Sequence, residues 1–273
     1  MILNNLVGVS GSINSGKDLV GEMLIYIDHA DNPTYKGFES EVILDSPYKI
    51  KKCADKLKEV VALIIGCKRS DLEDEEFKNR ELGEEWWRYQ HDNEILSKAE
   101  FEKLPPYTHG WWTLVKITPR MMLQEFGTQG GRMVVHPNIW VNALFADYIP
   151  KIPYLATSTY DNLESKWIIT DVRFPDNEGV AVTKRGGLLI GVKRKFALKQ
   201  PNYAYLIDGG RDEYKVPYEL EGLNYKLYKS LMHESETAMG DYSWCDVVIE
   251  NNGTKEELFN NVLNAVNIKL EKV

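Results

Sequence analysis

Apolar positions along the chain fall into short blocks and helical repeats. Leu6–Ser10 (LVGVS) is a short apolar run that stops at Gly11, and such a run bounded by a turn predicts a buried strand. Beyond a Gly/Ser/Asn turn, Leu19, Val20, Met23, Leu24 and Ile27 recur at helical spacing. They predict a helix from Lys17 with one apolar face, so the chain opens as strand, glycine loop, helix. Residues 28–49 are polar and irregular, with weak strand candidates. Helical spacing returns at Cys53, Leu57, Val60, Val61 and Ile64, and the charged stretch Asp71–Arg88 is expected to continue as a solvated helix. Residues 100–118, with Pro105-Pro106, Gly110 and Trp111-Trp112, read as a loop or inserted segment.

Thr118-Pro119-Arg120 opens another helix, with Thr as N-cap and Pro at the first helical position. Gly127 is its expected stop. A further helix near Pro137 carries Trp140. Trp167–Thr170 reads as a second buried strand ending at Asp171, followed by a helix, Gly186-Gly187 and a strand at Leu188–Val192. Residues 194–243 show no periodicity. A last strand, Val247–Glu250, leads to a helix with the capping box Thr254-x-x-Glu257 and an apolar face of Leu258, Phe259, Val262, Leu263 and Val266. Strands alternating with helices predict an α/β fold with a central, mainly parallel sheet flanked by helices. The expectation is one domain over 1–273, interrupted by insertions at about 28–118 and about 194–236.

Charge and cysteine usage narrow the function classes. The formal net charge is −8, and an acidic surface repels a nucleic-acid backbone, so no stable nucleic-acid binding is expected. Cys53, Cys67 and Cys245 are far apart and form no C-x-x-C pair, which points to reduced thiols rather than a zinc site or a disulfide framework. No leader is read at the N-terminus, and no apolar stretch approaches the ~20 residues that a membrane helix needs. The expectation is a cytoplasmic protein with no membrane partner.

The sharpest chemical signal is Gly11-Ser12-Ile13-Asn14-Ser15-Gly16-Lys17-Asp18, which fits G-x-x-x-x-G-K. Its glycines let backbone N–H groups turn toward phosphate oxygens, the following helix adds its positive end, and Lys17 reaches the β- and γ-phosphates. The plain alternative is an ordinary glycine turn. Asp18 stands where Ser or Thr commonly ligates Mg²⁺. A carboxylate is a hard-oxygen ligand too, or it only solvates the helix start. Asp171, at a strand end where α/β sheets bind ligands, has Arg173 and Glu178 nearby, though a structural ion pair also fits. Arg120 and Gln124 share a helix face; Arg suits phosphate and Gln a base edge, and both also suit solvent. Trp140 fits a core position as well as a stacking platform. His233-Glu234-Ser235-Glu236 lacks further ligands for a metal site, and Lys193-Arg194-Lys195 either clamps phosphate or faces water.

Together these residues resemble the deoxynucleoside monophosphate kinases of tailed bacteriophages. The likeness rests on the loop with Asp18 after Lys17, Ala54-Asp55-Lys56-Leu57-Lys58, the R-x-x-x-Q-x-x-G-T helix from Arg120 to Thr128, and Trp140. It is extended by Asp171-Val172-Arg173 with Glu178, His233-x-Ser235-Glu236, and Asp246–Gly253 with Glu257-Leu258. These motifs span most of the chain, while 85–117 and 196–230 match nothing specific. Glu178 lies one residue further from Arg173 than in the family, and Met121 replaces a basic residue; both departures bear on base selectivity.

The resemblance implies a P-loop kinase fold, with an inserted segment that binds the monophosphate and a lid over about 194–236. It implies transfer of the ATP γ-phosphoryl to a deoxynucleoside monophosphate with Mg²⁺, and a homodimer. Carried over by position, Gly11, Ser12, Asn14, Ser15, Gly16, Lys17 and Asp18 hold ATP, with Asp18 on the metal. Arg120, Gln124, Gly127, Thr128, Trp140, Asp171, Arg173 and Glu178 line the acceptor site, and Lys17, Arg120 and Arg173 are its catalytic cations. The loop alone also fits a kinase of another small acceptor, such as dephospho-coenzyme A, or a non-catalytic nucleotide-binding protein.

Overall fold

The computed structural model describes residues 5–43, 45–92, 94–150, 164–200, 203–207 and 238–270. In chain order, β1 (Leu6–Gly11), α1 (Lys17–His29), α2 (Tyr35–Ser40) and β2 (Tyr48–Lys51) come first. They are followed by α3 (Ala54–Ile65), α4 (Glu75–Asn79), β3 (Arg88–His91), β4 (Glu94–Ser97), α5 (Lys98–Phe101), β5 (Thr113–Val115), α6 (Pro119–Gln124) and α7 (Ile139–Phe145). The remainder comprises β6 (Lys166–Val172), α8 (Val180–Thr183), β7 (Leu188–Lys193), β8 (Phe196–Gln200), β9 (Tyr203–Ile207), β10 (Val247–Glu250) and α9 (Lys255–Leu270). These elements form two compact units, Met1–Cys53 with Leu144–Val273, and Ala54–Ala143.

The first unit is built on a five-stranded sheet in the order β10-β7-β1-β6-β2. Every neighbouring pair is parallel, as the alternation of strands and helices predicts. All six residues of β1 are buried, which fits a central strand covered on both faces. Successive residues of a strand point to opposite faces. Val7, Val9, Ile168, Ile190 and Val192 share one core with Val20, Leu24 and Ile27 of α1 and Leu258, Phe259 and Val262 of α9. On the other face Gly8 approaches Val182 of α8 and Leu189 so closely that a Cβ would lie 2.7 Å from the leucine methyl. The capping box of α9 forms as predicted, with Thr254 N–H donating to Glu257 Oε2 at 2.7 Å and Glu257 N–H to Thr254 Oγ1 at 3.1 Å.

Parallel pairing brings the C-terminal ends of all five strands to one edge of the sheet. β2 is reached directly after α1 and α2 yet lies at the far edge, with β6 inserted between it and β1. It falls inside the stretch 28–118 expected as an insertion, and it joins the main sheet.

The second unit has its own core of Val61, Ala62, Leu72, Ile117 and Met122. It departs from the local reading in three places. The charged stretch 71–88 is no continuous helix: a 3₁₀ turn at Arg69–Glu73, the short α4 and another turn at Glu84–Trp86 replace it. Asp74 caps α4 by accepting from Phe77 N–H at 2.6 Å, and a capping carboxylate inside a charged run starts a new helix instead of extending the old one. The segment read as a loop contributes to a small antiparallel sheet in the order β4-β3-β5. Gly127 is not a stop: α6 runs on as a π-helix over Glu125–Val135. Thr118 does cap α6, accepting from Met121 N–H at 3.3 Å.

Within 194–243, β8 and β9 pair as an antiparallel hairpin with Phe196 opposite Ile207. The rest of the expected lid, including the His233–Glu236 motif, lies outside the described residues.

Candidate active site

The glycine loop connects β1 to α1 at the C-terminal edge of the sheet. Two of its residues have left-handed backbone, Asn14 at φ 60° and Gly16 at φ 94°. An L side chain is strained at the Gly16 value, and a Cβ there would also lie 2.6 Å from Asn251 Nδ2. A Cβ on Gly11 would lie 2.2 Å from Ser15 Oγ. Both glycine positions are thus closed to a larger side chain, as the tight turn of a phosphate cradle requires. The Ser15 hydroxyl is buried and finds no hydrogen-bond partner among the described residues.

Four contacts brace the loop. Ser15 N–H donates to Ser12 O at 3.1 Å, and Lys17 Nζ donates to the same carbonyl at 3.0 Å. Asn251, just past β10 and 8% exposed, donates from Nδ2 to Ser15 O at 2.7 Å. Arg194, just past β7, donates from Nη1 to Asn14 O at 3.0 Å. The basic run 193–195, which fits phosphate or water in the sequence, therefore has one member on the loop itself.

Asp18 opens α1 beside Lys17. Its Oδ1 accepts from Thr170 Oγ1 at 2.6 Å and lies 3.0 Å from Lys52 Nζ. Partial burial by itself raises the Asp18 pKa, but the Thr170 hydrogen bond and the Lys52 and Lys17 charges outweigh it and hold the carboxyl below its usual range. An ionised, half-exposed carboxylate on the first turn after the loop has the hard-oxygen chemistry that Mg²⁺ takes; among the described residues no group of three or more His, Cys, Asp or Glu side chains gathers to hold a metal ion.

Asp171 and Glu178 organise the end of β6. Asp171 Oδ1 accepts from Cys53 N–H at 2.6 Å, tying the segment after β2 to β6. Glu178, 3% exposed, accepts on Oε2 from Arg173 N–H at 2.5 Å and Phe174 N–H at 3.2 Å. The carboxylate thus fixes the turn that carries Arg173.

The remaining sequence candidates lie in the second unit. Arg120 donates from Nε to Asn79 Oδ1 at 2.9 Å and pairs with Glu75. Gln124 is exposed one turn further on, and Gly127 is buried with Thr128 half-buried beside it. Trp140 is buried, and its indole N–H donates to Gly127 O at 2.9 Å. That bond supports the π-helical turn from beneath, and Gly131 leaves room for the ring, since a Cβ there would lie 2.9 Å from it. Glu125, which carries no sequence motif of its own, accepts both guanidinium ends of Arg88 at 2.7 and 2.6 Å.

Sequence reasoning missed Thr170, Lys52, Asn251 and Arg194's contact. Thr170 is buried in an apolar strand, Lys52 is one of several lysines around β2, and Asn251 lies in the Asp246–Gly253 stretch of the resemblance with no role of its own assigned there. Their roles arise from strand order, which no local pattern encodes.

A parallel sheet flanked by helices, with a glycine loop between β1 and α1 and a lysine and carboxylate at the helix start, is consistent with an α/β fold of the P-loop kinase type. The chain is 23% identical to the deoxynucleoside-5′-monophosphate kinase of Escherichia phage T5 over 279 aligned positions, covering 90% of this chain and 97% of that protein. No family model matches the chain. Among the described residues, no helix is long and apolar enough to cross a membrane.

Proposed function

We propose that this protein transfers the γ-phosphoryl group of ATP to the 5′-phosphate of a deoxynucleoside monophosphate, giving the diphosphate and ADP. The observation that carries the reading is the braced loop at Gly11–Asp18, with Lys17 and the ionised Asp18 following directly on it. A bare backbone loop, a helix N-terminus and a lysine are the parts that P-loop phosphoryl transfer uses.

Asp18 is the residue that would hold Mg²⁺, and the ion supplies neutralisation of charge on the donor phosphates. Lys17 moves from its resting acceptor, the Ser12 carbonyl, to the phosphates and stabilises the charge that spreads over the transferring group. The acceptor phosphate is dianionic above its second pKa of about 6, so no general base is required. Its oxygen forms the new bond to the γ-phosphorus as the bond to the bridging oxygen breaks, and that electron pair leaves on ADP.

Arg120 and Arg173 bind the acceptor phosphate, because the guanidinium fork matches phosphate geometry. Gln124 and Thr128 read the nucleoside, and Trp140 holds their turn. Asp171 and Glu178 set the backbone around Arg173.

The test is to incubate the protein with ATP, Mg²⁺ and each deoxynucleoside monophosphate and to follow ADP and the diphosphate together. The two products appear in equal amounts if the reading is right. ADP formation that ignores the monophosphate would refute it.

A further inference from the structure

We infer that Lys52 is a catalytic residue, a second ammonium that passes from Asp18 to the transferring phosphoryl group. This rests on the kinase reading above. Lys52 directly follows β2, whose last residue pairs with Ile169 of β6, so it emerges at the sheet edge that carries the glycine loop. The backbone there is fixed: the next residue, Cys53, is buried and its N–H is held by Asp171 Oδ1 at 2.6 Å. The ammonium reaches Asp18 Oδ1 at 3.0 Å, one residue beyond Lys17.

Two features separate this pair from an ordinary ion pair. Asp18 is already served on the same oxygen by the buried Thr170 hydroxyl at 2.6 Å, so the carboxylate does not depend on the lysine for a partner. The pair is also open to solvent, with Lys52 partly exposed at 33% and Asp18 exposed at 56%, and solvent-screened pairs contribute little to folding. What the arrangement does provide is a cation on a flexible four-carbon stem, anchored at its backbone. It rests on Asp18, the residue that follows the loop lysine. An ammonium acts as a mobile point charge of this kind. With Mg²⁺ held at Asp18, the carboxylate would have less negative charge left for Lys52, and its hold on the lysine would weaken. The polyanionic phosphoryl group is then the stronger acceptor. Asp18 thus stores the lysine before the donor arrives, and Thr170 keeps Asp18 oriented after the lysine leaves.

The experiment compares wild type with Lys52→Ala, Lys52→Arg, Asp18→Asn and the double variant Lys52→Ala/Asp18→Asn. Turnover is measured with ATP and a mixture of the four common deoxynucleoside monophosphates, and binding of ATP and of ADP is measured by calorimetry with Mg²⁺. Lys52→Ala is expected to lower kcat on the order of 10²-fold, as for loss of one electrostatic donor. It should weaken ATP about tenfold more than ADP, as for loss of one charge-assisted hydrogen bond. Lys52→Arg should recover part of both, and the double variant should be worse than either single one. Lys52→Met, which keeps the stem, gives the same readouts should the alanine variant melt early. Near-normal turnover with an unchanged ATP-to-ADP affinity ratio overturns the inference. So does a double variant no worse than Asp18→Asn, since Lys52 then acts only through Asp18. A wild type that makes no diphosphate removes the kinase reading, while the ATP-to-ADP comparison still decides Lys52.

Discussion

Asn251 and Ser15, 236 residues apart in the chain, are joined by a 2.7 Å hydrogen bond from the buried amide Nδ2 to the loop carbonyl. The bond ties the end of β10 to the turn that sets Gly16, and the Asn251 backbone N–H is itself held by Lys193 O at 2.8 Å. Asn251→Ala removes a buried donor and leaves the Ser15 carbonyl unpaired, a loss of about 1–3 kcal/mol. The expected outcome is a lower urea midpoint together with a raised KM for ATP. Loss of stability with an unaltered KM would show that the bond braces the sheet and not the loop.

Lys17 donates to Ser12 O at 3.0 Å in this state, a contact that a half-exposed side chain can exchange for phosphate. Lys17→Ala should lower kcat on the order of 10²-fold or more with little change in melting temperature. Steady-state kinetics beside a thermal melt checks both halves, and a variant with near-normal kcat would take Lys17 out of the mechanism.

Arg120 holds Asn79 and Glu75 through a guanidinium that also suits a phosphate fork. Arg120→Lys keeps the charge and loses the fork. The KM for the monophosphate should rise at least severalfold while the KM for ATP stays within about twofold, the gap expected when a bidentate charge-assisted contact is lost at one site only. The reverse pattern would exchange the assignments of donor and acceptor.

Glu73 provides a pH-dependent contribution in the second unit. Burial raises its pKa, but Lys58 at 2.7 Å and Arg69 at 2.5 Å outweigh burial and bring the carboxyl from 4.5 to about 2. A carboxyl depressed in the folded state stabilises above its unfolded pKa, and that stabilisation is lost as pH falls from about 4.5 to about 2. The side chain is 53% exposed, so screening limits the effect to about 0–1 kcal/mol. Glu73→Gln should therefore be slightly less stable than wild type at pH 7, with the difference shrinking toward pH 2. Urea midpoints across that range test it, and a difference independent of pH would exclude the ion pairs as its source.

The sequence by itself determined what depends on near neighbours. The glycine spacing at Gly11 and Gly16 fixes a loop between strand and helix. The apolar faces of α1 and α9 follow from side-chain period, and the caps at Thr118 and Thr254 follow from one hydroxyl and a backbone N–H three residues on. Strand–helix alternation was enough for a parallel α/β sheet. Tertiary structure decided where those parts meet. Gly127 continues a π-helix, since Trp140 donates to its carbonyl from a separate helix. Asp18 became a paired carboxylate only because β6, carrying Thr170, inserts between β1 and β2, while Lys52 follows the edge strand. Periodicity and capping encode contacts within about one helical turn or one strand step. Strand order is set by packing across the whole sheet, so the residues it gathers around the loop leave no local mark.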